Sequence, residues 1–333
     1  MKRICLLISI LFLFVIGANA RPEPRIPEVD RIRIAEAFRI GEKLQDRLWA
    51  GWSAAPFSLL FVTDEHEFLI RHPKPNDEFK SIGYDELLSS EIFVRPRKFQ
   101  KELLATFPAF GMGPVIVIGK AENTADKTST PWVFVLLHEH FHQLQYSQPD
   151  YYASVNALDL SGGDTTGMWQ INFAFPYEKG DVAKKFKETS LLLLEAYRAQ
   201  NEKVRGEALS RFYHSRNGLR SMISPADYRY MSFQNWQEGI ARYTQYRMAE
   251  LASRKLKPSR AFRELSDFTT FRAEADRLLR TTLVELRDLE LADWKRTVFY
   301  PFGAVEGLVL DKTDPRWRTR YLEEKFSLDD LQQ

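Results

Sequence analysis

Hydrophobic and polar positions divide the chain into a mixed first half and a helical second half. Over residues 32–49 apolar side chains recur at helical spacing, which predicts an opening amphipathic helix. Short β-prone runs bounded by proline, glycine and aspartate follow this helix. We therefore expect a small sheet within residues 55–120, built from the runs 57–62, 68–70, 92–94 and 115–118.

The pattern changes to helix after residue 127. Thr128-Ser129-Thr130-Pro131 places capping residues before a proline, which predicts a helix over residues 132–146. Glycines and aromatic residues over 159–181 predict a loop. Almost everything beyond this loop has a helical pattern. The predicted helices are 182–204, 206–222, 232–254, 258–287 and 291–311, and Asp314-Pro315 ends the last of them.

This order of elements predicts an α+β fold. A first lobe over residues 21–150 contains the sheet and ends in the helix after residue 131, and a helical lobe covers residues 151–333. The chain has 333 residues, of which 44% are hydrophobic and 28% are charged. This composition is ordinary for a globular protein, and the length allows a sizeable core.

Residues 1–20 have the pattern of a signal peptide. Lys2 and Arg3 precede an apolar run over residues 4–17, and Ala18-Asn19-Ala20 is a small-residue cleavage site. An uncleaved N-terminal anchor is the alternative interpretation. We expect cleavage, an exported protein in the periplasm or outside the cell, and no stable membrane insertion afterwards.

Charge and cysteine content narrow the chemistry of the mature chain. Removing Lys2 and Arg3 from the 47 basic residues leaves 45, equal to the 45 acidic residues, and no basic stripe remains. We therefore expect no nucleic-acid partner. The single cysteine, Cys5, lies in the predicted leader. A metal in the mature protein would therefore be held by imidazole and carboxylate groups.

The segment His138-Glu139-x-x-His142 matches the H-E-x-x-H pattern of zinc peptidases. Residues four apart on a helix lie about 40° apart around its axis, so both imidazoles face one metal. Glu139 lies beside them, where its carboxylate can take a proton from a zinc-activated water. A histidine-rich solvated helix is the competing interpretation. His140, about 200° from His138, is expected to support the site indirectly or to pack against the fold.

A second segment, Asn-Trp-Gln-Glu-Gly-Ile-Ala-Arg-Tyr over residues 235–243, stands well downstream of this motif. Together the two segments resemble the gluzincin group of metallopeptidases. The resemblance implies a zincin-like fold and a Zn²⁺ ion held by His138, His142 and Glu238, with Gly239 and Ala241 letting the two metal-site helices approach closely. Many gluzincins have an acidic residue four positions after this glutamate. Here Arg242 stands there, so Asp164 is considered as a substitute, and Glu195 competes with Glu238 as third ligand.

Several further residues are candidates for contact with substrate. Arg242 could grip a carboxylate or carbonyl, although an ion pair with an acidic residue is favoured. The resemblance implies an oxyanion-stabilising tyrosine, for which Tyr243, Tyr246 and Tyr300 are candidates. It also implies an upstream edge strand for extended substrate. Residues 115–118 suit this role and an interior position equally well.

These features lead to one functional hypothesis with two alternatives. The chain is expected to be an exported zinc metallopeptidase acting on a peptide or protein substrate, with Glu139 as general base and Tyr243 and Arg242 as further catalytic candidates. The first alternative is a zinc hydrolase of a non-peptide amide or ester. The second is a noncatalytic exported binding protein that keeps a zincin scaffold.

Overall fold

The computed structural model describes residues 23–73, 75–111, 113–329 and 331, so the predicted signal peptide lies outside the described residues. The opening helix is confirmed as α1, Glu28–Leu48, whose apolar face is buried. Within the described part of the chain, no helix combines the length and the apolar character needed to cross a membrane.

The first half contains the predicted mixed sheet, which has six strands in the order β3-β4-β2-β1-β6-β5. Strands β1 and β6 are parallel and the other neighbours are antiparallel. Residues 115–118 lie in β6, between β1 and β5, so they are interior and do not form the edge strand considered from the sequence. The strands are β1 Leu59–Val62, β2 His66–Ile70, β3 Lys80–Asp85, β4 Ser90–Pro96, β5 Leu104–Pro108 and β6 Pro114–Gly119.

The helix that carries the histidines is α2, Ser129–Tyr146. Its residues are buried almost throughout, both the apolar side chains of its first half and the polar side chains around the histidines. It packs against β5 and β6 on one side and against α1 and helices of the second half on the others. The side chain of Thr128 makes no capping bond, and Asp267 accepts the hydrogen bonds of the Ser129 amide and hydroxyl instead.

The second half is helical, as predicted. The predicted helix 258–287 is two helices in the structure, and 291–311 is a short helix, a 3₁₀ turn (Lys295–Val298) and a longer helix that ends before Asp314. A π-helical turn, Asn235–Gly239, interrupts the predicted helix 232–254. The helices are α3 Tyr151–Asn156, α4 Trp169–Asn172, α5 Gly180–Arg198, α6 Glu202–Met222, α7 Pro225–Gln234, α8 Ile240–Lys255, α9 Arg260–Arg263, α10 Phe271–Asp288, α11 Leu291–Trp294, α12 Phe299–Thr313 and α13 Trp317–Tyr321.

Two glycines bring the π-helical turn against α12. A Cβ atom added at Gly239 would lie 2.5 Å from the Cα of Gly303, and one added at Gly303 would lie 2.4 Å from the main-chain oxygen of Asn235. The close approach expected at Gly239 therefore exists, but its partner is α12 and not the histidine helix. This contact fixes the position of the turn that contains Glu238.

Candidate metal centre

Helix α2 brings His138, Glu139 and His142 together in the interior. Their candidate ligand atoms all lie within 4.8 Å of one another. The Nε2 atoms of the two histidines are 3.2 Å apart, because the four-residue spacing places both rings on one side of the helix. All three residues are buried, with at most 6% of their surface exposed. The group can therefore present two imidazole nitrogens and a carboxylate to one point.

Glu238 joins this group from the π-helical turn. Its Oε2 atom lies 3.5 Å from His142 Nε2 and 3.9 Å from His138 Nε2. Glu195, the competing candidate, is half exposed on α5 and forms an ion pair with Arg211. Of the two glutamates, the structure places Glu238 beside the histidines.

The spacing of these donor atoms suits a tetrahedral ion. Two donors about 2.0–2.1 Å from a zinc ion at a tetrahedral angle are roughly 3.3 Å apart. The separations of 3.2, 3.5 and 3.9 Å between the two imidazole nitrogens and the Glu238 oxygen are close to that value. Imidazole nitrogen and carboxylate oxygen are also donors that zinc accepts. The residues present therefore fit the metal implied by the motif.

Electrostatics make the group attractive to a cation. Burial alone would lower the pKa of His142, but the Glu238 carboxylate outweighs it and raises that pKa to about 9. Burial likewise opposes ionisation of Glu238, yet His142 and the hydrogen bonds from both histidines hold its pKa well below the ordinary value. The carboxylates of Glu238 and Glu139 thus stabilise a positive charge in this group, either on His142 or on a bound cation.

The free nitrogen of His142 is set by Gln145. The side-chain amide of Gln145 donates to the main-chain oxygens of Trp236 and Gln237 and to the Tyr321 hydroxyl. Its Oε1 atom is therefore the acceptor that faces His142 Nδ1, at 2.6 Å. Because Nδ1 is directed at this acceptor, Nε2 is the nitrogen that faces His138 and Glu238, and loss of the proton of the imidazolium to a metal ion would leave the lone pair on Nε2.

His138 has no equivalent support among the described residues, because its buried Nδ1 atom has no hydrogen-bond partner there.

Arg242 and Asp164, which were considered from the sequence, have partners elsewhere. Arg242 pairs with Glu285 on α10, at 3.1 Å, and its Nε donates to Thr282. Asp164 accepts bonds within its own loop, from Thr166 and Trp169. The catalytic role considered for Arg242 is thus not supported by its position, whereas the favoured ion pair with an acidic residue is observed.

Glu139 is held by Thr106 on the edge strand β5. The Thr106 hydroxyl lies 2.7 Å from Glu139 Oε2 and 3.1 Å from the main-chain oxygen of the same residue. The hydroxyl therefore donates its one hydrogen to the Glu139 carboxylate or to the main-chain carbonyl of the same residue. The sequence gives no indication of Thr106, since no spacing rule relates it to the histidine motif.

Tyr300 and Arg296 both contact Glu238. Arg296 Nη1 donates to Glu238 Oε1 at 3.2 Å. The Tyr300 ring is nearly parallel to the His138 ring, with centroids 6.3 Å apart. Burial and the nearby Glu238 charge raise the pKa of the Tyr300 hydroxyl well above its ordinary value, so it remains a hydrogen-bond donor. Tyr300 was one of the three tyrosines considered, whereas Arg296 was missed because it lies in an unrelated turn.

The other two tyrosines belong to different surroundings. The Tyr243 hydroxyl donates to the Asp311 carboxylate at 2.9 Å and accepts from Arg318, and its buried ring packs against Trp317. Burial, together with the charge of Glu250, raises the pKa of the half-buried Tyr246 to about 12. The catalytic prediction for Tyr243 is therefore not supported, because its hydroxyl is occupied in a separate network.

His140 packs against the fold, which was one of the two possibilities considered for it. Its ring is parallel to that of Phe57 at 3.7 Å and stacks on Trp52. Its two nitrogens contact Gln143 and Gln45. Burial lowers the pKa of His140 to about 3, so it stays neutral between α1, the sheet and α2.

Comparison with known proteins finds no matching family model, no matching curated protein and no matching solved structure. The chemistry of the chain has to be inferred from the buried group itself.

Proposed function

We propose that this chain is a zinc metallopeptidase of the gluzincin type, with His138, His142 and Glu238 as zinc ligands. The observation that carries this proposal is the meeting of two imidazole nitrogens and the Glu238 oxygen within 3.2–3.9 Å. The nitrogens come from α2 and the oxygen from a turn almost a hundred residues downstream. Such convergence is difficult to explain for a solvated histidine-rich helix, because all three residues of the motif are buried.

Each neighbouring side chain has a role in this proposal. A zinc ion held there would polarise a scissile carbonyl and lower the pKa of a water molecule. Glu139 accepts the proton of the attacking water and passes it to the leaving amine, and Thr106 holds its carboxylate for both transfers. Tyr300 is protonated at neutral pH and donates to Glu238, and in the reaction its hydroxyl would turn from this ligand to the oxyanion that develops on the carbonyl.

The zincin-like part of the proposal rests on the relation of α2 to the sheet. Strand β5 is the edge of the sheet and packs on α2, where Thr106 meets Glu139. An extended peptide paired with the open side of β5 would pass beside the motif. We assign the substrate edge to β5, since residues 115–118 lie in an interior strand.

The two alternatives differ from this proposal in substrate and in turnover. A non-peptide amide or ester would use the same residues, so substrate screening separates it from a peptidase. A noncatalytic binding protein would not need Glu139, since three ligands already hold the metal. The hydrogen bond that positions Glu139 beside the histidines favours catalysis. Export remains part of the proposal on the basis of residues 1–20 alone.

Glu139→Gln tests the proposed function directly. Glutamine keeps the shape of the side chain and the bond from Thr106 but cannot accept a proton, so zinc content should stay at the wild-type level while hydrolysis of a quenched fluorescent peptide library falls at least about 100-fold. Elemental analysis and initial rates measure the two effects. A variant as active as the wild type would exclude Glu139 as the base.

A further inference from the structure

Arg296 is a cation held close to the metal centre that the reaction described above does not use. It stands in the 3₁₀ turn Lys295–Val298, where Lys295 has a φ of 48°. That left-handed conformation is unfavourable for a residue with a side chain, and strain of this kind is often kept where it positions a functional group. Here it places the guanidinium of Arg296 against Glu238.

The guanidinium is only partly occupied. Its bonds to Glu238 Oε1 and to Gln234 Oε1, at 3.2 and 3.5 Å, both start from Nη1. Among the described residues, Glu238 is its one ion-pair partner, and 22% of its side chain is exposed. The planar fork of an arginine offers five N–H groups, so its bonds to Glu238, Gln234 and Tyr300 leave N–H groups for a further acceptor.

Neutral hydroxyl groups are further polar neighbours of Arg296. The guanidinium lies 5.3 Å from the centre of the Tyr300 ring and bonds its hydroxyl, and its charge acts on Tyr177 and Tyr230. These hydroxyls donate within the protein: Tyr300 to Glu238, Tyr177 to Tyr230, and Tyr230 to the main-chain oxygen of Gln170. None of them neutralises the guanidinium, whose remaining N–H groups suit a carboxylate.

Charge favours the same ligand. Glu139 and Glu238 contribute two negative charges and Arg296 one positive charge, so a divalent ion leaves the group with a net charge of about +1. A carboxylate is attracted by this charge, whereas a neutral amide is not.

Arg296 also lies close to the proposed metal. Its Nη1 atom is 3.2 Å from Glu238 Oε1, and the other oxygen of Glu238 is 3.5 Å from His142 Nε2. An extended residue spans about 3.3–3.6 Å, so a carboxylate bound on the outer side of the guanidinium lies within about three residues of a carbonyl at the metal.

We propose that Arg296 binds a carboxylate of the substrate. The carboxylate is either the C-terminus of the substrate or an aspartate or glutamate side chain. This inference rests on the proposed function, and it assigns to Arg296 the anchoring role that the sequence suggested for Arg242, which is occupied by Glu285.

Peptide binding to the zinc-loaded Glu139→Gln protein tests this assignment without turnover. The probes are an acetylated tripeptide ending in phenylalanine, its C-terminal amide, and the corresponding amide with aspartate as last residue. Isothermal titration calorimetry should show at least one carboxylate form binding tenfold or more tightly than the phenylalanine amide. Preference for the first probe identifies a C-terminal carboxylate, and preference for the third an acidic side chain.

Variants then attribute the preference to Arg296. Adding Arg296→Gln should bring the affinities of all three probes within about twofold, and Arg296→Lys, which keeps the charge beside Glu238 but loses the fork, should retain part of the preference. Arg272→Gln is the matched control, since Arg272 is exposed on α10 and pairs with Asp276. It should leave the preference unchanged.

The outcomes separate the two proposals. Equal affinities for the three probes in zinc-loaded Glu139→Gln would overturn the role of Arg296 and leave the peptidase proposal intact, whatever the folding of the Arg296 variants. A preference that survives Arg296→Gln would also overturn it. Failure of the protein to bind zinc would remove the proposed function and this inference together.

Discussion

The interaction between Thr106 and Glu139 is the residue-scale feature that most distinguishes a catalytic site from a metal-binding one. A hydroxyl bond to a charged acceptor contributes roughly 1.5–3 kcal/mol. In this site it holds the carboxylate whose proton transfers limit the proposed reaction, at 2.7 Å. In the proposed site the zinc ligands are His138, His142 and Glu238, so this bond would not affect metal binding.

Thr106→Val should therefore reduce kcat about 10- to 100-fold while zinc content stays at the wild-type level. Valine keeps the shape of threonine and its preference for a strand, so β5 should be unaffected. Thr106→Ser, which restores the hydroxyl, should recover most of the rate. Steady-state kinetics on a peptide substrate measure both, and a valine variant with wild-type kcat would show that the bond has no catalytic role.

The sequence could predict the residues that a spacing rule connects. His138, Glu139 and His142 lie within about one helical turn, and Glu238 was found through its neighbours in the second segment. Gln145 is three positions after His142, so helical spacing could have indicated it, whereas Thr106 and Arg296 act from positions that no local rule connects with a metal site. Their roles depend on tertiary packing and became visible only in the structure.

At the scale of elements, the π-helical turn accounts for the directions in which Arg242 and Tyr243 point. In a continuous α-helix, Arg242, four positions after Glu238, would lie on the same face as that glutamate. The turn Asn235–Gly239 is π-helical, with hydrogen bonds between residues five apart. The residues of α8 are therefore rotated about the helix axis relative to a continuous α-helix. Arg242 consequently faces α10, and Tyr243 faces Asp311.

Strands and helices were predicted where burial gives a clear pattern. Strands β1, β2 and β6 are buried almost completely, and their apolar runs identified them. Strand β3 is exposed along most of its length and β5 is only partly buried, so both edge strands lacked that pattern. The edge strand that meets Glu139 was missed for this reason.

The contact between Gly239 and Gly303 gives an element-scale prediction. Gly239→Ala should reduce the free energy of unfolding by about 1–3 kcal/mol, because its Cβ would lie 2.5 Å from Gly303 Cα and the backbones would have to separate. Gly206→Ala is the matched control, since no atom lies within 4 Å of its Cβ position on α6, and it should stabilise by up to about 1 kcal/mol. Urea denaturation measures both. Equal stability of the two variants would contradict the close contact.

At the scale of the whole molecule, the metal centre joins the two halves of the chain. The two histidines belong to the helix that packs on the sheet, and Glu238 belongs to the helical half, in a turn positioned by α12. The sequence predicted this division of the fold and both contributions to the buried group. It could not predict how the halves pack, because that depends on contacts such as Gly239 against Gly303.

The central claim is that three residues from these two halves hold one zinc ion, and metal content tests it most directly. Purified protein loaded with zinc, and then dialysed, should contain about one zinc per chain, and His138→Ala and Glu238→Ala should each lose it. Glu195→Ala, which removes an exposed ion pair with Arg211, should retain the metal. A wild-type chain without zinc, or a Glu238→Ala variant that keeps it, would contradict the proposed site.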